Sequence, residues 1–294
     1  MSEGVREVVS SLGDEYFRVA KNKAKNKHNK DEKKECGRQG TKGRRLTGVL
    51  ICLAMLTTIC AVLLAVRVVS HEADLAAMQR EYEALPELPD TSQPEWTTLK
   101  LHNERMREIN PDYAGLLRLE GTTVSYPLVR GNDNVKYLTT SFEGAETPFG
   151  SLFMDYRCVG KNLPHIIVYG HHYGDSSGNR YLLGSLDAFF DEGYTAEHRV
   201  ITYIDDDCLY EYIIFSVRVS DINDPAYNLN FSEPGSFETF LENIGAPPDS
   251  IQIFTLSTCV GSGGDDSRII IQGTLNSVLQ MDENQSRIAI PYGT

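Results

Sequence analysis

The sequence predicts a mainly β fold, a closed barrel or sandwich of eight short strands, preceded by a transmembrane helix and a helical stalk. Two observations lead to this prediction. Residues Leu46–Val66 contain no charged side chain. After Tyr113, runs rich in β-branched and aromatic residues alternate with Gly, Pro, Asn and Asp, which is typical of short strands joined by turns. With 41% hydrophobic residues, the 294-residue chain can build a substantial core.

The uncharged segment Leu46–Val66 is long enough to cross a membrane. At a rise of about 1.5 Å per residue, its helix spans a hydrocarbon core of about 30 Å. A secretory signal peptide is the alternative, since it also combines basic residues with an apolar run. The basic preface is long and Arg67 follows without a small-x-small cleavage site, so an uncleaved signal anchor is favoured.

Charge is distributed unevenly about this segment. Residues 1–45 carry 13 Lys and Arg against 7 Asp and Glu, although the whole chain has a net charge of −13. The positive-inside rule then predicts a cytoplasmic amino terminus and an extracellular remainder. The lysines are expected to orient the helix and contact anionic lipid; nucleic-acid binding is the less favoured alternative.

These features divide the chain into four segments. Prolines after Leu85 end the helix that continues out of the membrane. The predicted segments are a cytoplasmic basic tail over 1–45, a transmembrane signal anchor over 46–69, a helical stalk over 70–94 and an extracellular domain over 95–294.

The extracellular domain contains the eight predicted strands and three predicted helices. The strands are Ala114–Leu119, Val124–Val129, Ser151–Met154, Ile166–Tyr169, Arg199–Ile204, Leu209–Val219, Ile251–Ser257 and Arg268–Leu275. The helices are Trp96–Ile109, Tyr181–Phe190 and Ser236–Ile244.

Three side chains of this domain form a candidate catalytic set. Cys259 ends one strand and Arg268 begins the next, so both are expected at one end of a sheet. His171 leaves another strand into a Gly-bounded loop, where it can transfer protons near neutral pH. A thiolate nucleophile, a proton donor for the departing amine and a guanidinium for the oxyanion together suit acyl transfer.

Each of these residues also has a simpler interpretation. Cys259 can be a buried packing residue, and Arg268 a surface charge. His171 and His172 can form a metal pair, but adjacent residues of an extended chain point to opposite faces and no further ligand cluster has suitable spacing. A disulfide between Cys158 and Cys208 stays open, because six cysteines in this chain do not define a disulfide framework.

Several motifs, in order over roughly two hundred residues, resemble the sortases of Gram-positive bacteria, and within them class B. From about Glu95 onward these motifs are Ile109-Asn-Pro-Asp-Tyr-Ala-Gly-Leu-Leu117, Tyr126-Pro-Leu-Val129, Gly150-Ser-Leu-Phe-Met-Asp-Tyr-Arg157, Tyr169-Gly-His171-His, and Thr255-Leu-Ser-Thr-Cys259 followed by Arg268.

The resemblance implies a closed eight-stranded sortase barrel and a membrane-anchored cysteine transpeptidase. Cys259 is then the nucleophile, His171 the general acid and base, and Arg268 the oxyanion-stabilising group, while His172 has no chemical role. The resemblance also implies substrate binding by Tyr169, Ser257, Thr258 and Tyr227.

The implied partners are secreted proteins with a carboxyl-terminal sorting motif, an acceptor amine on peptidoglycan or a pilin, and the plasma membrane. No metal or organic cofactor is implied. Class B relatives commonly recognise an Asn-Pro-x-Thr-type motif. A cysteine peptidase that only hydrolyses and a non-catalytic surface scaffold are the alternatives to this function.

Overall fold

The structure is a computed structural model that describes most of the chain beyond the predicted tail. The described residues are 47–87, 96–160, 162–175, 177–259 and 266–280, the backbone of 287–289, and Lys21 and Lys23. The rest of the predicted tail over 1–45, and residues 88–94 of the predicted stalk, lie outside them. The chain divides into two compact units, Met1–Glu72 and Ala73–Thr294.

A long apolar helix, α1 (Thr47–Ala84), begins the described chain. Within the described residues it alone is long and apolar enough to cross a membrane. Its large apolar side chains between Val49 and Val69 are exposed, as expected for a surface that contacts lipid. At about 1.5 Å per residue, the helix is about 57 Å long and exceeds the hydrocarbon core. This helix is consistent with membrane anchoring.

The last turns of α1 pack on the second unit, to which they belong. Leu75 and Met78 are buried in its main hydrophobic core. The ring of Tyr82 lies edge-on to that of Tyr126, with centroids 5.0 Å apart. Residues 73–84 of the predicted stalk therefore form a helix that packs on the core of the second unit with one face.

The described residues of the second unit form eleven strands, of which eight close into the predicted barrel. The strands are β1 (Tyr113–Leu119), β2 (Ser125–Val129), β3 (Leu152–Met154), β4 (His165–Tyr169), β5 (His172–Gly174), β6 (Arg180–Leu182), β7 (Val200–Ile204), β8 (Cys208–Ser220), β9 (Ile253–Cys259), β10 (Arg268–Gln280) and β11 (Arg287–Ala289). The barrel order is β1-β2-β3-β4-β9-β10-β8-β7, and β7 pairs with β1 to complete the circle. The pairs β2–β3 and β4–β9 are parallel.

Alternation along the strands decides which side chains fill the barrel. Ile166 and Val168 of β4 and Phe254 and Leu256 of β9 belong to the main core. Their neighbours, such as His165, point to the outer face. There α4 (Ser236–Ile244) covers the barrel with Phe240, whose ring lies 4.8 Å from that of His165.

All eight predicted barrel strands are present, with ends that shift by at most two residues, except that β10 continues five residues beyond the predicted Leu275. The helices α2 (Trp96–Ile109) and α4 have the predicted bounds. The structure also contains α3 (Glu192–Glu197), which the sequence analysis missed; its amino terminus is capped by the Asp191 side chain.

The predicted helix Tyr181–Phe190 is wrong over its first half. Tyr181 pairs with Tyr173 in the β5–β6 hairpin, and only Leu186–Phe190 form a 3₁₀ helix. Leu182 has a φ of 54°, which interrupts a right-handed helix. A Cβ on Gly184 would lie 1.9 Å from the Tyr173 carbonyl oxygen, so the hairpin requires glycine there.

Candidate active site

Cys259 and Arg268 face each other across two neighbouring strands. Cys259 is the last residue of β9 and Arg268 the first of β10, and the antiparallel register pairs them directly. Directly opposed residues project on the same face, with Cβ atoms about 4.5 to 5.5 Å apart. The expectation that both lie at one end of a sheet therefore agrees with the register of the barrel.

His171 reaches the same region from β4. The parallel pairing of β4 with β9 sets Tyr169 beside Ser257, and the Gly170 amide donates to the Ser257 carbonyl at 3.3 Å. A Cβ on Gly170 would lie 2.2 Å from a Leu152 methyl, so the chain turns there on glycine. The turn delivers His171 to the groove that contains Cys259.

The His171 ring is held by two contacts. Its Nε2 lies 2.8 Å from the Leu138 carbonyl oxygen, and its ring lies 5.5 Å from that of Tyr173. A carbonyl oxygen only accepts hydrogen bonds, so Nε2 carries the proton in this bond. The other ring nitrogen, Nδ1, is then the atom that can exchange a proton with the substrate. The arrangement fixes both the tautomer and the plane of the imidazole.

All seven site residues named from the sequence line one cavity of about 360 Å³. Five further residues complete its wall, and the sequence analysis gave them no role: Asn134, Leu138, Phe153, Gly170 and Ile222. Three of these are apolar, which suits a groove for a peptide with few polar side chains.

Two stacked tyrosines form one wall of the groove. The rings of Tyr169 and Tyr227 are 6.4 Å apart and nearly parallel, at 14°. The Tyr227 hydroxyl and Ser257 Oγ are hydrogen-bonded at 2.8 Å. Three of the predicted substrate-binding residues are thus joined to one another.

The carboxylate of Asp155 holds the hydroxyl of Tyr169, the second tyrosine of this wall. It is fully buried and accepts from the Tyr169 hydroxyl at 3.0 Å and from Asn134 Nδ2 at 2.9 Å. Burial acts to raise the pKa of Asp155, but hydrogen bonds from Arg157 and Asn134 outweigh it and lower the pKa below its usual value. The sequence analysis quoted the motif that contains Asp155 without giving this carboxylate a role.

Thr258 differs from the other predicted substrate-binding residues. It is 2% exposed, and its Oγ1 has no hydrogen-bond partner among the described residues. A buried, unpaired hydroxyl is costly unless something completes it. Thr258 lines the groove, but its side chain alternates with those of Ser257 and Cys259 along β9 and therefore lies on the opposite face of the strand.

Tyr173 lies close to the candidate nucleophile. Burial raises the pKa of the Tyr173 phenol above its usual value, and the proximity of Cys259 adds to the rise. The Tyr173 hydroxyl donates to the Pro148 carbonyl at 2.8 Å. The Tyr173 ring packs against that of His171, and no sequence signal distinguished it from a packing aromatic.

Three other residues considered from the sequence, His172, Cys158 and Cys208, do not line this groove. His172 Nε2 lies 3.7 Å from an Asp187 carboxylate oxygen. Cys158 is buried, and its pKa is raised to about 11, mainly by burial. No disulfide joins Cys158 to Cys208 in the part of the chain that the structure describes.

Comparison with known proteins identifies the class of this fold and site. No protein-family model matches the sequence. Sortase B of Staphylococcus aureus is 29% identical over 178 residues, which cover 57% of this chain and 71% of that protein. Sortase B of Listeria monocytogenes is 27% identical over 181 residues, covering 58% and 72%.

Solved structures give the same result. A cysteine-to-serine variant of Clostridium perfringens sortase B superposes with a TM-score of 0.60 at 25% identity, covering 67% of this chain and 97% of that one. A substrate complex of Staphylococcus aureus sortase B has a TM-score of 0.54 at 26% identity, covering 60% and 85%. A sortase B complexed with triglycine has a TM-score of 0.55 at 25% identity, covering 63% and 88%.

The barrel and its groove define an enzyme of the sortase type. In sequence and in structure, the chain is similar to the class B sortases. The resemblance seen in the motifs and the predicted sortase barrel are both confirmed.

Proposed function

We propose that this protein is a cysteine transpeptidase that joins secreted proteins to an amine at the cell surface. It cleaves a sorting motif near the carboxyl terminus of its substrate through a thioacyl enzyme, then transfers the acyl group to a peptidoglycan or pilin amine. The observation that supports this most strongly is the direct cross-strand pairing of Cys259 with Arg268 in a groove that also contains His171.

In the first step, Cys259 acts as the nucleophile. Its thiolate attacks the threonine carbonyl carbon of the sorting motif, forming a C–S bond and an oxyanion. Arg268 supplies positive charge and hydrogen-bond donors to that oxyanion. The C–N bond then breaks as protonated His171 gives its proton to the departing amine, leaving a thioacyl enzyme.

In the second step, the acceptor amine attacks the thioacyl carbon. His171, now neutral, takes a proton from the amine, and the C–S bond breaks as the new C–N bond forms. Cys259 leaves as a thiolate and His171 is again protonated. The protein groups return to their starting state, and no cofactor enters the cycle.

The groove wall supports the assignment of substrate contacts to Tyr169, Ser257, Thr258 and Tyr227. The tyrosine rings provide apolar, stacked surface, and Ser257 adds a hydroxyl that is hydrogen-bonded to Tyr227. The sortase B of the solved substrate complex binds a substrate, and the one complexed with triglycine binds a glycine peptide. We infer a sorting-motif donor and an amine acceptor for this chain by similarity.

The position of the chain in the cell is part of the proposed function. We propose a single-pass cell-membrane protein with a cytoplasmic amino terminus, anchored over 46–69, and an extracellular catalytic domain over 95–294. The apolar helix α1 and the basic residues before it support this topology. Secreted substrates then meet the enzyme at a high effective concentration.

Mass spectrometry of the reaction products tests the proposal. The full-length protein, purified in detergent micelles, is incubated with a library of sorting-motif peptides and with candidate amines. We expect the amino-terminal peptide fragment joined to an amine, and a thioacyl adduct that is absent from Cys259→Ala. Hydrolysis alone, whatever amine is offered, would indicate a peptidase; identical behaviour of wild type and Cys259→Ala would indicate a scaffold.

A further inference from the structure

A short segment carries Tyr227 into the groove. This segment, Asp224–Asn228, follows β8 and contains a 3₁₀ helix over Pro225–Tyr227. The Asp224 side chain caps that helix by accepting from the Ala226 amide at 2.8 Å. Because Tyr227 lies between Asp224 and Asn228, the position of its ring depends on how both ends of the segment are held.

The first end of the segment is held by an arginine of β8. Arg218 donates from Nη2 to Asp224 Oδ1 at 2.6 Å and from Nε to Asp224 Oδ2 at 3.2 Å. This two-point contact fixes orientation as well as distance. Burial acts to raise the pKa of Asp224, but hydrogen bonds from Arg218 and the Ala226 amide outweigh it and lower the pKa.

The second end is held by a buried histidine of β4. His165 Nδ1 lies 2.8 Å from the Asn228 carbonyl oxygen, and its Nε2 lies 2.8 Å from Thr255 Oγ1. The carbonyl only accepts, so Nδ1 carries the proton and Nε2 accepts from the Thr255 hydroxyl. The neutral imidazole therefore relays a hydrogen bond from β9 to the segment.

One glutamine of β10 joins the two ends. Gln272 Nε2 donates to Thr255 Oγ1 at 3.0 Å, and Gln272 Oε1 accepts from Arg218 Nη1 at 2.7 Å. The side chains Arg218, Gln272, Thr255 and His165, called here the polar row, thus donate in one direction from the guanidinium to the Asn228 carbonyl. They stand on β8, β10, β9 and β4, which are consecutive in the barrel.

Three of the four side chains of the polar row are buried, Arg218 is partly exposed, and the row is separate from the groove. Gln272 and Thr255 are fully buried, and none of the four side chains lines the cavity at Cys259. Buried polar networks are less favourable than apolar packing unless every member is satisfied, and a satisfied network specifies one arrangement. The barrel needs no such row to close, whereas the Asp224–Asn228 segment gains a fixed position from it.

We propose that the polar row is a positioning network that holds the Asp224–Asn228 segment so that Tyr227 is ready to receive the sorting-motif peptide. The inference rests on the proposed function for its substrate. When only a fraction of the molecules hold the segment in the arrangement that binds peptide, the apparent affinity is reduced in proportion to that fraction. The row therefore acts on binding rather than on the reacting atoms.

Kinetics of Gln272→Leu in the full-length protein test this role. Leucine is similar in size but breaks the row at its centre. We expect KM for the sorting-motif peptide to rise about 10-fold or more, with kcat within about 3-fold of wild type. The matched control is Gln252→Leu, because Gln252 is also buried and hydrogen-bonded to Tyr212, yet lies outside the row.

Hydrogen exchange of the segment gives a second readout that needs no activity. We expect amides of 224–228 to exchange about 10-fold faster or more in Gln272→Leu, and at the wild-type rate in Gln252→Leu. Arg218→Lys, which keeps the charge but loses the two-point contact, is expected to behave like Gln272→Leu and serves if that variant does not fold.

The outcomes separate this inference from the proposed function. Unchanged exchange in the variants of the row would overturn the network, as would faster exchange with an unchanged KM. An equal rise of KM in Gln252→Leu would reduce the effect to general destabilisation and also overturn it. If the wild-type protein joins no peptide to any amine while hydrogen exchange of the segment responds as expected, the proposed function fails. The conclusion that the polar row positions the Asp224–Asn228 segment then still stands.

Discussion

His165 is expected to make the folded state sensitive to mild acid. It is 1% exposed, and its pKa is lowered to about 4, mainly by burial and against the favourable Asn228 carbonyl. The more distant charges of Asp155 and Arg157 act in opposite directions. In the unfolded chain the imidazole has a pKa of about 6.5. At a pH between about 4 and about 6.5, His165 therefore binds a proton in the unfolded chain but not in the folded protein.

The sign and size of the effect follow from this difference in pKa. The stability due to neutral His165 is complete above about pH 6.5 and is lost as the pH falls toward about 4. A difference of about 2.5 pH units, at about 1.4 kcal/mol per unit, amounts to about 3 to 4 kcal/mol, most of which is lost by about pH 4. Protonation is unfavourable for a structural reason as well, because His165 Nε2 accepts a hydrogen bond from the Thr255 hydroxyl and would lose it on becoming a donor.

Urea unfolding of the full-length protein in detergent micelles measures this loss. The free energy of unfolding is compared at about pH 7 and about pH 4 for wild type and for His165→Gln, whose amide stays neutral. We expect wild type to lose about 3 kcal/mol more than the variant over this interval. Equal losses in the two proteins would refute the assignment of the acid sensitivity to His165.

Three further predictions concern the groove. Arg268→Ala is expected to lose roughly 10² to 10³ in kcat with an unchanged circular dichroism spectrum, because an oxyanion donor is removed; a wild-type rate would contradict that role. Gly170→Ala is expected to cost about 1 to 3 kcal/mol of stability in thermal melts, since its Cβ would meet a leucine methyl at 2.2 Å. The control is Gly131→Ala, because the atom nearest to its added Cβ is 3.5 Å away. Tyr227→Phe removes the hydrogen bond to a groove serine, so KM for the sorting peptide is expected to rise up to about 10-fold. Tyr156→Phe alters an exposed tyrosine outside the groove, and an equal rise there would count against the assignment.

Much of the barrel was predictable because its strands carry a local signal. In β9, the core residues Phe254 and Leu256 alternate with Thr255 and Ser257, which face outward. The helix Ser236–Ile244 was also predicted with its observed bounds. The prediction failed at Tyr181, where helix-forming residues pair with β5 instead, because a tertiary contact overrode local preference.

The candidate site was predictable only in part. The motifs named the cysteine, histidine and arginine, and the structure brings all three to one groove. Asp155, Tyr173 and the polar row escaped the sequence analysis, because a buried aspartate, tyrosine or glutamine has no spacing that marks its partner. Their roles come from contacts between residues far apart in the chain, such as Arg218 and Gln272.

The sequence by itself determined the apolar helix, the order of the barrel strands along the chain and the residue types available for acyl transfer. These are properties of neighbouring residues, since length, alternation and turn chemistry act within about ten positions. Only the tertiary structure decided that β9 lies between β4 and β10, which sets Tyr169 beside Ser257 and Cys259 opposite Arg268. A shift of one residue in either register would turn these side chains to the other face, so the groove depends on long-range pairing that no local pattern encodes.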